Sequence, residues 1–246
     1  MNKLMPIFYT SLAKYYDNIY HYIDYKKQVV HLIELIKNFK KSSNNKILDV
    51  ACGTGTHADL LQKAGFKVTG LDISKEMLEL AKKKNSNIKF LQEDMKDYKI
   101  DKKFGTIICF FNSILYCKNR KELKDALTNF FSHLEEGGIL IFDAVDKSIG
   151  KNSRKEHYEY KDDSLNIIFE PQWLYNQDED TLNIDIDFKI NGKKSHDHHT
   201  MGAFSFDELK TIIKESGFKT VSFEKDFETT GEYDYKYKSA IFVCRR

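Results

Sequence analysis

The sequence predicts an α/β fold: a doubly wound, mostly parallel seven-stranded sheet with an antiparallel β insertion after the fifth strand. Three observations carry the prediction. Short apolar runs alternate with helical patterns from residue 46 to residue 144, and such alternation specifies a parallel sheet covered by helices on both faces. The period then changes to two between residues 165 and 204, before one helix and two strands close the sequence.

Each element has a local reason. Residues 26–41 set Val29, Leu32, Ile33, Ile36 and Phe39 among polar residues, the spacing of one buried helical face. Ile47–Val50 reads as a strand, Thr56–Ala64 as a helix, Val68–Leu71 as a strand and Lys75–Lys84 as a helix. Ser74 suits the N-cap of that second helix, with Glu76 in its first turn. Ile88–Leu91 and Thr106–Phe111 are further strands, residues 120–133 a helix, and Ile139–Ala144 a strand after a Gly137-Gly138 turn. Residues 165–174 and 182–190 are strands, the second alternating through Leu182, Ile184, Ile186, Phe188 and Ile190. Asn191-Gly192 follows, a strong hairpin signal, and 195–204 is the returning strand. Ser205-Phe206-Asp207-Glu208 has the form of a capping box and opens a helix that Gly217 ends. Lys219–Phe223 and Ala240–Cys244 are the last two strands. The expected division is an N-terminal helical lid segment over 1–45, a cofactor-binding core over 46–144, an antiparallel substrate-side insertion over 145–204, and the rest of the core sheet over 205–246.

Composition narrows the function. Lys plus Arg number 39 and Asp plus Glu 37, a net charge of +2, which supplies no field for a nucleic-acid partner. No apolar run approaches a membrane span, and the start of the sequence lacks a signal-peptide pattern. Cys52, Cys109, Cys117 and Cys244 are scattered, with no CxxC pair. Neither a disulfide nor a metal site is expected, and the expected compartment is the cytoplasm.

Asp49-Val50-Ala51-Cys52-Gly53-Thr54-Gly55-Thr56 is the most informative stretch. A strand ends, a Gly-x-Gly turn follows and a helix begins, which lets backbone N–H groups approach a ligand closely. A tight turn that binds nothing would look the same. Two downstream acids favour a ligand. Asp72 ends the second strand, where a carboxylate can accept from both ribose hydroxyls of an adenosine. Asp94 follows the third, where it can accept from an adenine amino group, with Met95 offering an apolar face to the ring. A dinucleotide is the weaker candidate: Ala58 stands where the third glycine of its fingerprint belongs, and Asp49 would face a pyrophosphate unfavourably. An acid there suits the cationic amino-acid end of S-adenosylmethionine (SAM).

Leu48–His57 resembles motif I of the class I SAM-dependent methyltransferases. The likeness continues through Gly70-Leu71-Asp72-Ile73-Ser74-Lys75-Glu76-Met77-Leu78, Glu93-Asp94-Met95 and Leu134-Glu135-Glu136-Gly137-Gly138. It implies the Rossmann-like methyltransferase fold, SAM as cofactor, and cofactor contacts at Asp49, Ala51, Gly53, Gly55, Asp72, Ile73, Asp94 and Met95. A looser likeness, carried by Tyr16-Asp17-Asn18-Ile19-Tyr20, Phe111–Tyr116 and Asp197-His198-His199, is to bacterial N,N-dimethyltransferases of nucleotide-linked amino sugars. By that likeness Tyr16 closes over the methionine end of SAM and Phe111 lies beside it.

Methyl transfer from a sulfonium has a neutral leaving group, so the protein chiefly supplies alignment and exclusion of water. An amine must also lose a proton, and a general base helps. His199 is the first candidate, with Tyr116 the second catalytic candidate; His198 and His57 are alternatives. A surface cluster His196–His199 is the rival reading of the first. Trp173 and the Tyr233–Tyr237 segment are candidate substrate walls, or packing. The expected acceptor is a small soluble molecule, preferably an amine such as an amino sugar, and the protein a monomer or homodimer. O- or C-methylation, a catalytically silent SAM-binding protein and a nicotinamide oxidoreductase are rivals. A nucleic-acid methyltransferase ranks last, because Phe111-Asn112-Ser113-Ile114 stands where an Asn/Asp-Pro-Pro-aromatic motif would be needed.

Overall fold

The computed structural model describes residues 5–151, 153–224 and 238–246. Two short 3₁₀ turns, Ile7–Tyr9 and Ala13–Tyr15, lead into α1 (Tyr16–Ile19) and α2 (Tyr25–Phe39). Then follow β1 (Lys46–Val50), α3 (Thr56–Lys63), β2 (Lys67–Asp72), α4 (Lys75–Lys84), β3 (Lys89–Gln92), β4 (Phe104–Cys109), α5 (Arg120–His133) and β5 (Leu134–Val145). The insertion holds β6 (Tyr158–Lys161), β7 (Asn166–Asn176), β8 (Thr181–Ile190) and β9 (Lys193–Gly202). The order closes with α6 (Phe206–Glu215), β10 (Lys219–Glu224) and β11 (Ser239–Arg245).

The first sheet has seven strands in the order β10-β11-β5-β4-β1-β2-β3, and the second four in the order β6-β7-β8-β9. In the large sheet β1 through β5 run parallel to one another, while β11 is antiparallel to both β5 and β10. The strand order turns back between β1 and β4, the point at which an open α/β sheet leaves a crevice at its carboxyl edge.

The doubly wound character is visible residue by residue. Ile107, Leu140, Phe142 and Phe242 are buried on one face with Leu127, Phe130, Leu209 and Ile213 of α5 and α6. Their neighbours Ile108, Ile139, Ile141 and Ile241 are buried on the other with Leu32, Leu61 and Leu78 of α2, α3 and α4. A third cluster joins Phe8 and Ile19 of the N-terminal segment to Ile167, Phe169, Ile186 and Phe188 of the small sheet. Burying Phe8 alone is worth about 1.5–3 kcal/mol, so this segment is held down by packing.

Local chemistry sets the helix starts. The side chains of Asp24, Ser74 and Asn119 accept from the N–H of Lys27, Met77 and Glu122 at the starts of α2, α4 and α5. Ser205 and Glu208 form a reciprocal capping box at α6. Asn191 and Gly192 both take positive φ, 46° and 83°, as the β8–β9 hairpin requires.

The structure departs from the sequence reading at three points. Gly137-Gly138 is no turn: β5 runs through it from Leu134, and the left-handed Gly137 (φ 72°) marks an irregularity within the strand. β4 ends at Cys109, so Phe110 and Phe111 lie beyond it. β6, four residues of alternating Tyr and charge, lacks the apolar periodicity that announces a strand. Within the 1–45 segment, α2 buries Val29, Leu32, Leu35 and Ile36 in the core.

Candidate active site

A cavity of about 770 Å³ opens over the carboxyl ends of β1, β2, β3 and β4 and under the small sheet, within the size range of small-molecule sites. Its floor is strained. Ala51 (φ 55°) and Gly53 (φ 54°) follow β1 in the left-handed region, and Phe111 (φ 58°) and Asn112 (φ 57°) follow β4 in the same conformation. Non-glycine residues held there cost of order 1–3 kcal/mol and concentrate at ligand sites. A Cβ built on Gly53 would meet nothing within 4 Å, so open space lies over that turn.

Two carboxylates control the loop. Asp72 ends β2 and accepts from the N–H of Gly53 and of Ser74, each at 2.8 Å. Burial raises its pKa, and those two N–H groups partly offset the rise. Asp49 is buried at the end of β1, and its Oδ2 has no hydrogen-bond partner among the described residues. Burial, with the nearby Asp72 adding to it, pushes the Asp49 pKa up to about 8, against a smaller opposing effect from the Ala58 N–H. An orphaned acid oxygen beside an open glycine turn fits the cationic amino-acid end of SAM. Asp94, following β3, accepts from Lys96 N–H at 3.0 Å and faces the Lys96 ammonium at 3.5 Å.

The N-terminal segment crosses over this floor and is fastened at several points. Thr54 Oγ1 donates to Asp17 at 2.6 Å, and Lys84 pairs with Asp17 at 2.9 Å while reaching Thr56 at 2.7 Å. Ser74 Oγ donates to the Tyr9 carbonyl at 2.6 Å. Tyr16 and Tyr20 pack at a tilt within this layer, 4.8 Å between ring centroids, and Tyr20 lies 5.5 Å from Phe111.

On the opposite wall, alternation along β9 splits the histidine run. His196 and His198 face solvent and pair with Asp187 and Asp185 of β8. Asp197 and His199 face inward and are buried, His199 at 1% exposure. His199 Nε2 lies 3.0 Å from Asp197 Oδ2, and its Nδ1 lies 2.5 Å from the hydroxyl of Tyr116, in the 3₁₀ turn Ser113–Tyr116. Burial works against the Asp197 carboxylate, yet the hydrogen bonds from His199 and from Phe8 N–H hold its pKa below the usual range. The surface-cluster reading therefore describes His196 and His198 but not His199.

Of the sequence-predicted residues, Tyr16, Asp49, Ala51, Gly53, Asp72, Ile73, Asp94, Met95, Phe111, Tyr116 and His199 all border the cavity. Gly55 does not; it caps α3 with φ 76°, and a Cβ there would sit 3.1 Å from both Ala81 and Phe90. His57 borders the cavity with Nε2 2.9 Å from Gln28 Oε1, and burial pushes its pKa down to about 4, which leaves it too weak a base to hold an ammonium proton. His198 points away from the cavity. Trp173 is on the wall, whereas Tyr233–Tyr237 lies outside the described residues. Sequence reasoning missed Phe8, Tyr9 and the anchoring role of Asp17. For Asp197 the signal was present, since it shares the face of His199 two residues away. All four cysteines are free, and no metal-binding cluster occurs among the described residues. No described helix is long and apolar enough to cross a membrane.

Residues 47–138 match the family model of a methyltransferase domain. The dTDP-3-amino-3,4,6-trideoxy-alpha-D-glucopyranose N,N-dimethyltransferase of Streptomyces venezuelae is 34% identical over 118 residues, 48% of this chain and 49% of that protein. The chain thus aligns with about half the length of that relative. A glycine/sarcosine N-methyltransferase of Aphanothece halophytica is 29% identical over 208 residues, covering 81% of this chain and 76% of the relative. Among solved structures, an S-adenosylmethionine-dependent methyltransferase from Clostridium acetobutylicum superposes with a TM-score of 0.80 over 96% of this chain and 98% of that one. At 22% identity that likeness is one of fold.

Proposed function

We propose, because this chain carries a class I SAM-dependent methyltransferase domain, that it moves a methyl group from SAM to the amine nitrogen of a small soluble acceptor. The observation that carries the amine is the buried Asp197–His199–Tyr116 chain in the wall of the same cavity as the glycine turn. A nitrogen acceptor arrives largely as an ammonium ion and needs a proton sink before it can attack. Two of the proteins it resembles are named as N-methyltransferases, one of an amino sugar and one of glycine and sarcosine, and both names favour nitrogen.

When bound, SAM supplies a methyl group on a cationic sulfur. The residues of this chain hold and orient it. Asp49 offers a carboxylate to the amino-acid end, and the N–H groups around Gly53 line the turn. The lone pairs of Asp72 not used by Gly53 and Ser74 accept from the ribose. Asp94 accepts from the adenine amino group, with Met95 and Ile73 against the ring. Tyr16 and Phe111 cover the methionine end and exclude water, while His199, acting through Tyr116, takes the proton.

The test has two stages. Calorimetry should show that SAM and its demethylated product bind and that NAD does not. Mass spectrometry of SAM with a panel of amino sugars, amino acids and polyamines should then show gains of one or two methyl groups. Methylation confined to hydroxyl or carbon acceptors would refute the amine, and NAD binding without SAM binding would refute the cofactor.

A further inference from the structure

The segment that roofs the cavity also reaches its proton sink. Phe8 N–H donates at 2.8 Å to Asp197 Oδ2, the same oxygen that His199 Nε2 approaches. The next residue, Tyr9, brings its hydroxyl to 2.9 Å from that of Tyr116, and its ring packs edge-on against His199 at 5.3 Å between centroids. Tyr9 is also pinned from the cofactor side, through its carbonyl and Ser74 Oγ. One short stretch thus touches β9, the Tyr116 turn and the start of α4.

The direction of each hydrogen bond follows from what each group can do. The Asp197 carboxylate only accepts, so His199 Nε2 carries the hydrogen, and Nδ1 of the neutral ring is left to accept. Tyr116 spends its single hydroxyl hydrogen on Nδ1, so its oxygen accepts from Tyr9. Among the described residues no donor reaches the Tyr9 oxygen, and Tyr9 borders the cavity. The row of groups therefore ends in one acceptor site, on the N-terminal segment.

We infer that Tyr9 is the acceptor-facing end of a proton path Tyr9–Tyr116–His199, and that Asp197 both orients His199 and docks the segment that completes the path. The inference rests on the amine-methylation reading. In the step, an ammonium N–H bond breaks and its proton bonds to Tyr9 Oη, as the Tyr9 proton passes to Tyr116 Oη and the Tyr116 proton to His199 Nδ1. Both tyrosines end neutral, the amine keeps the electron pair that attacks the methyl carbon, and the positive charge rests on the imidazolium against Asp197. A concerted shift suits these residues. Burial lifts the Tyr9 pKa to about 12 and the Tyr116 pKa upward, so a separate tyrosinate on either is disfavoured. Asp72 and Asp197 add to the rise at Tyr9.

Tyr9→Phe in the full-length protein keeps the ring and removes the path's end. Its affinity for SAM should stay near that of the wild type by calorimetry, while turnover of an amine acceptor falls about 10²-fold at pH 7 and recovers toward pH 9, where free amine is already present. An independent readout needs no acceptor: nitrogen-15 spectra of histidine-labelled wild-type protein should report His199 as the Nε2–H tautomer, and Asp197→Asn should disturb that signal. An Nδ1–H tautomer in the wild type reverses the donors and overturns the path. A Tyr9→Phe enzyme with wild-type turnover at every pH also overturns it, leaving amine methylation standing. A wild type that binds SAM yet methylates no amine refutes the functional reading, and the path with it.

Discussion

Replacing Asp49 by Asn separates what this residue does for the empty protein from what it does for the cofactor. The folded chain retains the Asp49 proton up to about pH 8, chiefly through burial, whereas the ordinary carboxyl value is 3.8. Between those values the folded state binds a proton that the unfolded state has released, so stability is full at low pH and falls as pH rises. The fall is about 1.4 kcal/mol per unit and is complete above pH 8. Asn keeps the shape and does not titrate, and the other ionisable groups are shared. Raising the pH from 5 to 7 should therefore cost the wild type about 3 kcal/mol relative to Asp49→Asn. At about 2–4 °C per kcal/mol for a chain of this size, the gap in Tm widens by roughly 6–12 °C. Scanning calorimetry of both ligand-free proteins at the two pH values measures it. SAM reverses the balance, because its cationic end favours the ionised carboxylate. Titrations at pH 7 in buffers of different ionisation enthalpy should show close to one proton released by the wild type and none by Asp49→Asn. Wild-type affinity should rise by up to about tenfold per unit between pH 6 and 8. Melting curves that shift in parallel, together with SAM binding that releases no proton, would refute the assignment of Asp49.

Three further outcomes are expected. Asp72→Ala removes the partner of Gly53 and Ser74 as well as the proposed ribose acceptor, and the SAM dissociation constant should rise by about 10–150-fold, equivalent to 1.5–3 kcal/mol; an unchanged constant in calorimetry would return Asp72 to a loop-holding role. Asp17→Ala cuts the tie to Thr54 and Lys84, and because that pair is partly exposed the same constant should rise only about two- to fivefold; a rise as large as that of Asp72→Ala would mean Asp17 acts on the cofactor itself. His199→Ala should lower amine turnover by about 10²–10⁴-fold at pH 7, with a smaller loss at pH 9 and little change in SAM affinity; rates equal to wild type across that range would leave alignment as the source of catalysis.

Much of this was legible in the residues because it is local. Strand–helix alternation, the N-caps at Ser74 and Ser205, the Asn191-Gly192 hairpin and the Gly-x-Gly turn are each written within a few neighbouring positions. Asp49, Asp72 and Asp94 were legible as a set because the carboxyl ends of parallel strands come together in any doubly wound sheet. Contacts between distant segments were not. Tyr9 meets Tyr116 across 107 positions and Phe8 meets Asp197 across 189, and no periodicity records such a meeting. Gly137 misled for the opposite reason: two adjacent glycines signal a turn locally, but backbone hydrogen bonds between them and Arg246, just past β11, keep the strand going while its register against β4 shifts. His199 stood out in the sequence, yet only the register of β9 in the small sheet decides that it and Asp197 turn inward while His196 and His198 turn out.

The position of β11 has a consequence for how the molecule is made. It comes last in sequence among the described strands, yet it lies between β5 and β10 in the large sheet. A nascent chain that has left the ribosome through β5 carries five parallel strands whose Ile139–Val145 edge has no partner. The insertion, α6 and β10 must all emerge before Ser239–Arg245 can pair with it. An apolar edge left open for that interval invites pairing with other chains. Because Ala240–Cys244 is wholly buried, its arrival removes the edge and seals both faces of the core in one event. Such a non-local closure is slow to form. Folding of the large sheet is therefore completed only once β11 has emerged, the described strand farthest in sequence from the glycine turn.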